Sequence, residues 1–134
     1  MDYTNIKVYF DISGNAFPVD EITKILEISP TLTYLKGDSI RGKKIKRKET
    51  SWELGSEYQI SYDVNNQLVP IINQLLSKEK ELIRIREKYS VSFIVFIIIK
   101  IENNESPAIT LSSEIMGFLS RIGAEISIDL YSMS

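Results

Sequence analysis

The sequence predicts an α+β fold in which helices pack on a mainly antiparallel sheet, and three stretches carry that prediction. Ile6, Val8, Phe10 and Ile12 alternate with Lys7, Tyr9 and Asp11, the period of a half-buried strand. Leu68, Ile71, Ile72, Leu75 and Leu76 recur at the spacing of one helix face. Val91 to Ile99, with Ile101 beyond Lys100, is an uninterrupted apolar run. It has roughly half the ~20 residues that a membrane-spanning helix needs. A strand without polar alternation is expected to be covered on both sides and to occupy the middle of the sheet.

The elements follow in order. After the first strand, Gly14 and Asn15 turn the chain, Pro18 suits a first helical position, and Asp20 and Glu21 fall where the helix dipole favours negative charge. Val19, Ile22, Ile25 and Leu26 form the core stripe of this helix, and Ser29-Pro30 ends it. Thr31 to Lys36 is β-prone and stops at Gly37-Asp38, and Ser51 to Ser56, which holds the single tryptophan, is a further strand. Asn65 or Asn66 is expected to cap the helix at Leu68 to Leu76, with Pro70 tolerated near its first turn. Leu82, Ile85 and Tyr89 continue at helical spacing, as one kinked helix or as a pair. Either Ile94, Phe96 and Ile98 or the opposite set Val95, Ile97 and Ile99 should line the face that the Leu68 to Leu76 helix covers. Ser112 or Ser113 caps a last helix that Gly123 closes, and Ala124, Ile126, Ile128 and Leu130 alternate with polar residues in a final strand. This order matches a ferredoxin-like split βαβ core with an appended C-terminal helix and strand.

Composition limits the chemistry. The 134 residues suit a single domain, 1–134, with 43% hydrophobic and 25% charged residues, and isoleucine is the commonest residue. The absence of cysteine and histidine removes disulfides, thiolate nucleophiles, the usual zinc ligands and every imidazole base. Acid–base chemistry would fall to a carboxylate, lysine or tyrosine of strongly shifted pKa, so an enzyme is less expected than a binding protein. No cofactor or metal is expected. Exhaustive chelation should therefore leave the thermal midpoint unchanged, and a fall of several degrees would reveal a bound cation. Met1 to Phe10 lacks the pattern of a signal peptide, so the chain is expected to stay in the cytoplasm, away from membranes.

Gly14 with Phe17-Pro18-Val19-Asp20-Glu21-Ile22-Thr23, Leu26-Glu27-Ile28-Ser29-Pro30-Thr31, Lys36-Gly37-Asp38, Trp52 with Leu54, Leu111-Ser112 through Phe118-Leu119, Gly123-Ala124-Glu125-Ile126 and Asp129-Leu130-Tyr131 follow one another along the chain. In that order they resemble the bacterial domain-of-unknown-function 4279 family. The resemblance implies a small bacterial α+β protein with no assigned activity. Its motifs are turns, caps and core positions, and no catalytic residue comes with them. The basic stretch before Trp52 maps onto no family motif.

That stretch is the chief candidate site. Lys36 to Lys48 carries seven basic residues and one acid, while the rest of the chain carries 9 basic and 17 acidic residues, so a net charge of −2 conceals strong segregation. Residues 36–50 read as a basic loop or hairpin arm. Arg41, Lys43, Lys44, Lys46, Arg47 and Lys48, with Trp52 as a stacking surface, are the candidate binding residues, set against a solvated arm and a core tryptophan. Gly37 to Lys43 matches the spacing of a phosphate loop, but Lys44 stands where Ser or Thr would hold magnesium and no helix follows. The carboxylates Asp38, Glu49, Glu53, Glu57 and Asp63 are the most crowded, and they read as surface charge. These features point to a non-catalytic bacterial protein-interaction module, of which an immunity-type inhibitor of an intracellular toxin is one form. The alternative is nucleic-acid or phosphate-ligand binding through residues 41–48, and the third reading is a carboxylate-based enzyme.

Overall fold

The computed structural model describes residues 3–133. β1 (Asn5–Gly14) leads into α1 (Val19–Leu26), β2 (Leu32–Tyr34), β3 (Thr50–Gly55), the two-residue β4 (Gln59–Ile60), α2 (Asn65–Leu75), α3 (Glu79–Tyr89), β5 (Ser92–Ile101), α4 (Ser113–Ile122) and β6 (Ala124–Ser132). The sheet runs β2-β3-β1-β5-β6, with β4 also pairing with β1. β1 is antiparallel to β3 and β5, and β3 is antiparallel to β2. This is the split βαβ core. β6 returns parallel to β5 after the crossover through α4, as the appended helix and strand.

Strand alternation decides which residues meet the helices. Ile6, Val8, Phe10 and Ile12 of β1, Trp52 and Leu54 of β3, and Phe93, Val95, Ile97 and Ile99 of β5 are buried on one side of the sheet. Against them lie Ile22 and Leu26 of α1, Leu68, Ile71, Ile72 and Leu75 of α2, Leu82 and Ile85 of α3, and Phe118, Leu119 and Ile122 of α4. The set Val95, Ile97 and Ile99 therefore faces the core. Ile94, Phe96 and Ile98 point to the other side, where they are only half-buried. The expectation that β5 is covered on both sides is corrected: no helix of the described residues lies over the second face, and β5 sits between the central β1 and the edge strand β6.

Local chemistry explains the boundaries. Glu27 ends α1 in the left-handed region, its N–H donating to the Thr23 carbonyl at 2.8 Å. The long helical segment is two helices, parted by a 3-10 turn at Leu76–Lys78. Asn65 and Asn66 do not cap α2. Asp63 does so, its Oδ1 accepting from the Asn65 N–H at 2.9 Å, and Pro70 falls in the second turn, on the exposed side. Ser112 caps α4 by accepting from the Ile115 N–H at 3.1 Å, and Gly123 closes it at φ 78°, a region that glycine enters without strain. No helix among the described residues is long and apolar enough to cross a membrane.

Candidate functional site

The uncovered face of the sheet is built from the alternate residues of the same strands. It presents Lys7, Tyr9, Asp11 and Ser13 of β1, Ser51 and Glu53 of β3, Tyr34 of β2 and Ile94, Phe96 and Ile98 of β5. Gly55 stands opposite Tyr9, where any Cβ would collide with that residue. The tyrosine ring lies against Phe96, centroids 5.0 Å apart and planes 23° from parallel. Beside this aromatic wall is an open hollow of about 340 Å³, lined by Tyr9, Asp11, Tyr34, Glu53, Ile94 and Phe96 among others. A second hollow of about 340 Å³ shares Ser13, Tyr34 and Glu49 with it and extends beneath Ile40, Ile45, Arg47 and Lys48.

Asp11 forms the floor. It is 5% exposed, and the Ser13 and Ser51 hydroxyls donate to its two carboxylate oxygens. Directly opposite it across β1 and β3 is Glu53, a like-charge pair of the kind that destabilises a sheet. Burial raises the Asp11 carboxyl above the ordinary carboxylate range, with Glu49 adding to the rise and the two serine hydroxyls opposing it. Glu53 is raised likewise, by burial first and Asp11 second, with Lys7 and Arg47 opposing. Burial, then Glu53 and Asp11, push the Tyr9 phenol up to about 12. Among the described residues no cation stands within ion-pair distance of Asp11, Glu49 or Glu53; the ion pairs are Lys78–Glu27 and Arg121–Glu79, both elsewhere. A buried and a half-buried carboxylate framed by aromatic rings suit an ammonium or guanidinium group, which gains from both the charge and the ring faces.

Residues 36–48 fold as a hairpin-like arm over the end of this face. Gly37 N–H donates to the Arg47 carbonyl at 2.9 Å, Arg47 N–H to the Asp38 carbonyl at 2.8 Å, and Ile40 N–H to the Ile45 carbonyl at 3.2 Å. Arg41, Lys43, Lys44, Lys46 and Lys48 are exposed, whereas Arg47 lies on the Tyr34 ring, 3.9 Å from its centroid. Of the arm's candidate residues, Lys46, Arg47 and Lys48 line the hollow that adjoins the acidic floor, while Arg41, Lys43 and Lys44 lie further along the arm. Trp52 is not among them. It is fully buried on the helix side of the sheet, with Nε1 donating to Thr23 Oγ1 at 3.0 Å, so it is corrected from stacking surface to core.

Of the crowded carboxylates, Glu49 and Glu53 join the site, Asp38 accepts the Leu35 N–H at 2.8 Å within the arm, and Asp63 caps α2. Asp11 is the residue that sequence reasoning missed. In the β1 pattern it is one more polar alternate, and the signal that could have marked it is a charged residue in mid-strand between Phe10 and Ile12. A separate surface groove of about 240 Å³ between α1 and α3, lined by Ile25, Ile85 and Tyr89 with Glu81, Arg84 and Lys88, mixes both signs of charge and focuses on nothing.

A family model, that of the domain of unknown function DUF4279, matches residues 4–133, so the chain belongs to that family. No curated protein and no solved structure matches it.

Proposed function

We propose that this member of the DUF4279 family is a non-catalytic protein-interaction module that holds its partner on the uncovered face of the sheet. In this reading Asp11 and Glu53 receive a basic side chain of the partner between Tyr9, Tyr34 and Phe96, and the arm meets acidic residues alongside. The observation that carries it is the Asp11–Glu53 pair: two neighbouring acids with no cation at ion-pair distance among the described residues, Lys7 and Arg47 acting on Glu53 only from further off, at the floor of a half-buried apolar strip. A partner's ammonium or guanidinium group would neutralise a pair that weakens the free protein, and Ile94, Phe96 and Ile98 would supply the apolar contact around it. An immunity-type inhibitor of an intracellular toxin is one form of such a module, and the cytoplasm of a bacterium is its setting.

The arm supports a second reading, phosphate or nucleic-acid binding, because Arg41, Lys43, Lys44, Lys46 and Lys48 are exposed with no acid at ion-pair distance among the described residues. The acidic hollow beside them opposes a polyanion. Two variants separate the readings once a partner has been captured from the host and purified. Changing the five exposed cations to Gln should weaken partner binding, about 10-fold, and flatten its salt dependence, because surface charges steer association and are screened. Folding should barely change. Phe96→Glu should abolish binding of the same partner at every salt concentration. Binding that survives Phe96→Glu, together with oligonucleotide binding that the five-Gln variant loses, would replace the protein reading with the nucleic-acid one.

A further inference from the structure

β6 ends the sheet with a nine-residue strand, and its outer edge pairs with nothing among the described residues. Sheet edges are commonly blunted by Lys, Pro or a bulge. Ala124–Ser132 contains neither residue and keeps one unbroken register with β5. Ala124 and Ile126 on its apolar side pack against the core, but the farther half of that side is left bare, with Ile128 40% and Leu130 58% exposed. The Met133 N–H donates to the Ile101 carbonyl at 2.9 Å, which directs the amides of the odd-numbered residues toward β5. By strand alternation the N–H and C=O groups of Ala124, Ile126, Ile128, Leu130 and Ser132 then face outward.

We propose that this edge pairs antiparallel with β6 of a second copy, about a two-fold axis through Ile128, to give one sheet continuous across a homodimer. The register follows from the side chains. With Ile128 opposite Ile128 of the second copy, Ile126 meets Leu130, and the apolar side is apolar throughout. On the other side Ser127 meets Asp129 and Glu125 meets Tyr131, so no like charges face each other. Moving the axis to Ser127 sets Glu125 against Asp129 twice, and moving it to Asp129 sets that residue against itself. A shift of one residue would put apolar side chains opposite polar ones. Axes through Ile126 or Leu130 also avoid facing like charges, but each pairs only residues 124–128 or 128–132, whereas the axis through Ile128 pairs the whole of Ala124–Ser132. The outward amides of Ile126, Ile128 and Leu130 become hydrogen-bonded pairs across the axis, and the exposed apolar side of each strand is extended by the other.

The test uses the mass of the chain in solution and a cross-link that the cysteine-free sequence makes specific. Sedimentation should give twice 15.4 kDa for the wild type, and 15.4 kDa for Ile128→Lys, which places two ammonium groups on the axis. Because Ile128 is partly exposed in the single chain, this variant should keep the circular dichroism of a folded protein. Ile128→Cys should form a covalent dimer under mild oxidation, since directly opposed residues of a hydrogen-bonded pair stand about 5.5 Å apart at Cα, within disulfide reach. Ile126→Cys should not, because that residue and its copy would be roughly 13 Å apart along the strands. A wild type that stays at 15.4 kDa at millimolar concentration, a dimer that Ile128→Lys leaves intact, or equal cross-linking of the two cysteine variants would each overturn the proposal. The cross-link decides the matter even if Ile128→Lys fails to fold.

Discussion

Phe93→Ala is expected to destabilise the protein by about 3–5 kcal/mol, and Phe96→Ala, three residues along the same strand, by about 1–2 kcal/mol. Phe93 is 1% exposed, and its ring centroid lies 5.5 Å from that of Phe10 inside the helix-covered core. Truncating it leaves a cavity that Phe10 and the overlying side chains cannot fill. Phe96 has solvent on one side and loses chiefly its stacking on Tyr9. A domain of this size is stable by about 5–15 kcal/mol, so Phe93→Ala removes a large share of the total and should lower Tm by roughly 10–20 °C. Urea denaturation of the two variants checks the difference. The opposite order would mean that β5 presents its other side to the helices.

That contrast also marks what the sequence could and could not say. Alternation in β1 and β6, the Leu68 to Leu75 stripe and the Ser112 and Gly123 caps were legible because each is a local pattern with one physical meaning. The two sides of β5 were not distinguishable, since Phe93, Val95, Ile97 and Ile99 are as apolar as Ile94, Phe96 and Ile98. An uninterrupted apolar run implies cover on both sides, yet the helices of the described residues all lie on one face of the sheet, and nothing within the run itself carries that information. The basic arm was visible from charge counting alone. Its setting was not, because Asp11 and Glu53 are 42 residues apart in sequence and meet only through the β1–β3 register. The side to which Trp52 points is set by its cross-strand partner and not by its own neighbours in sequence: it lies opposite Ile12, on the core face.

Asp11→Asn has a second large expected effect, with opposite signs for stability and binding. Burial raises the Asp11 and Glu53 carboxyls in the folded state. The native protein therefore holds these protons more tightly than the unfolded chain does, and the stability they contribute is fully present below the ordinary carboxylate pKa of about 4. It is lost as pH rises through the raised folded values. Above the raised folded values the free protein carries the cost of a buried charge at Asp11 beside the half-buried one at Glu53, and Asp11→Asn removes the first while its amide can still bond the Ser13 and Ser51 hydroxyls. The variant should melt higher than wild type at pH 7, and the gain should shrink toward pH 4. Binding should move the other way. Removing one member of a buried charge pair across an interface costs about 2–5 kcal/mol, roughly 30-fold to several-thousand-fold in Kd. A site that weakens the free protein yet strengthens the complex is what an interaction surface requires and what a purely structural carboxylate does not.

The most direct test of the sheet face as the partner site is calorimetric titration of the captured partner into wild type and Asp11→Asn at pH 7, with thermal melts of both free proteins alongside. Asp11→Asn should bind at least about 30-fold more weakly and melt at a higher temperature. Unchanged affinity would remove Asp11 from the interface, and a loss of affinity accompanied by a lower melting temperature would make it a structural residue, contradicting the account in either case.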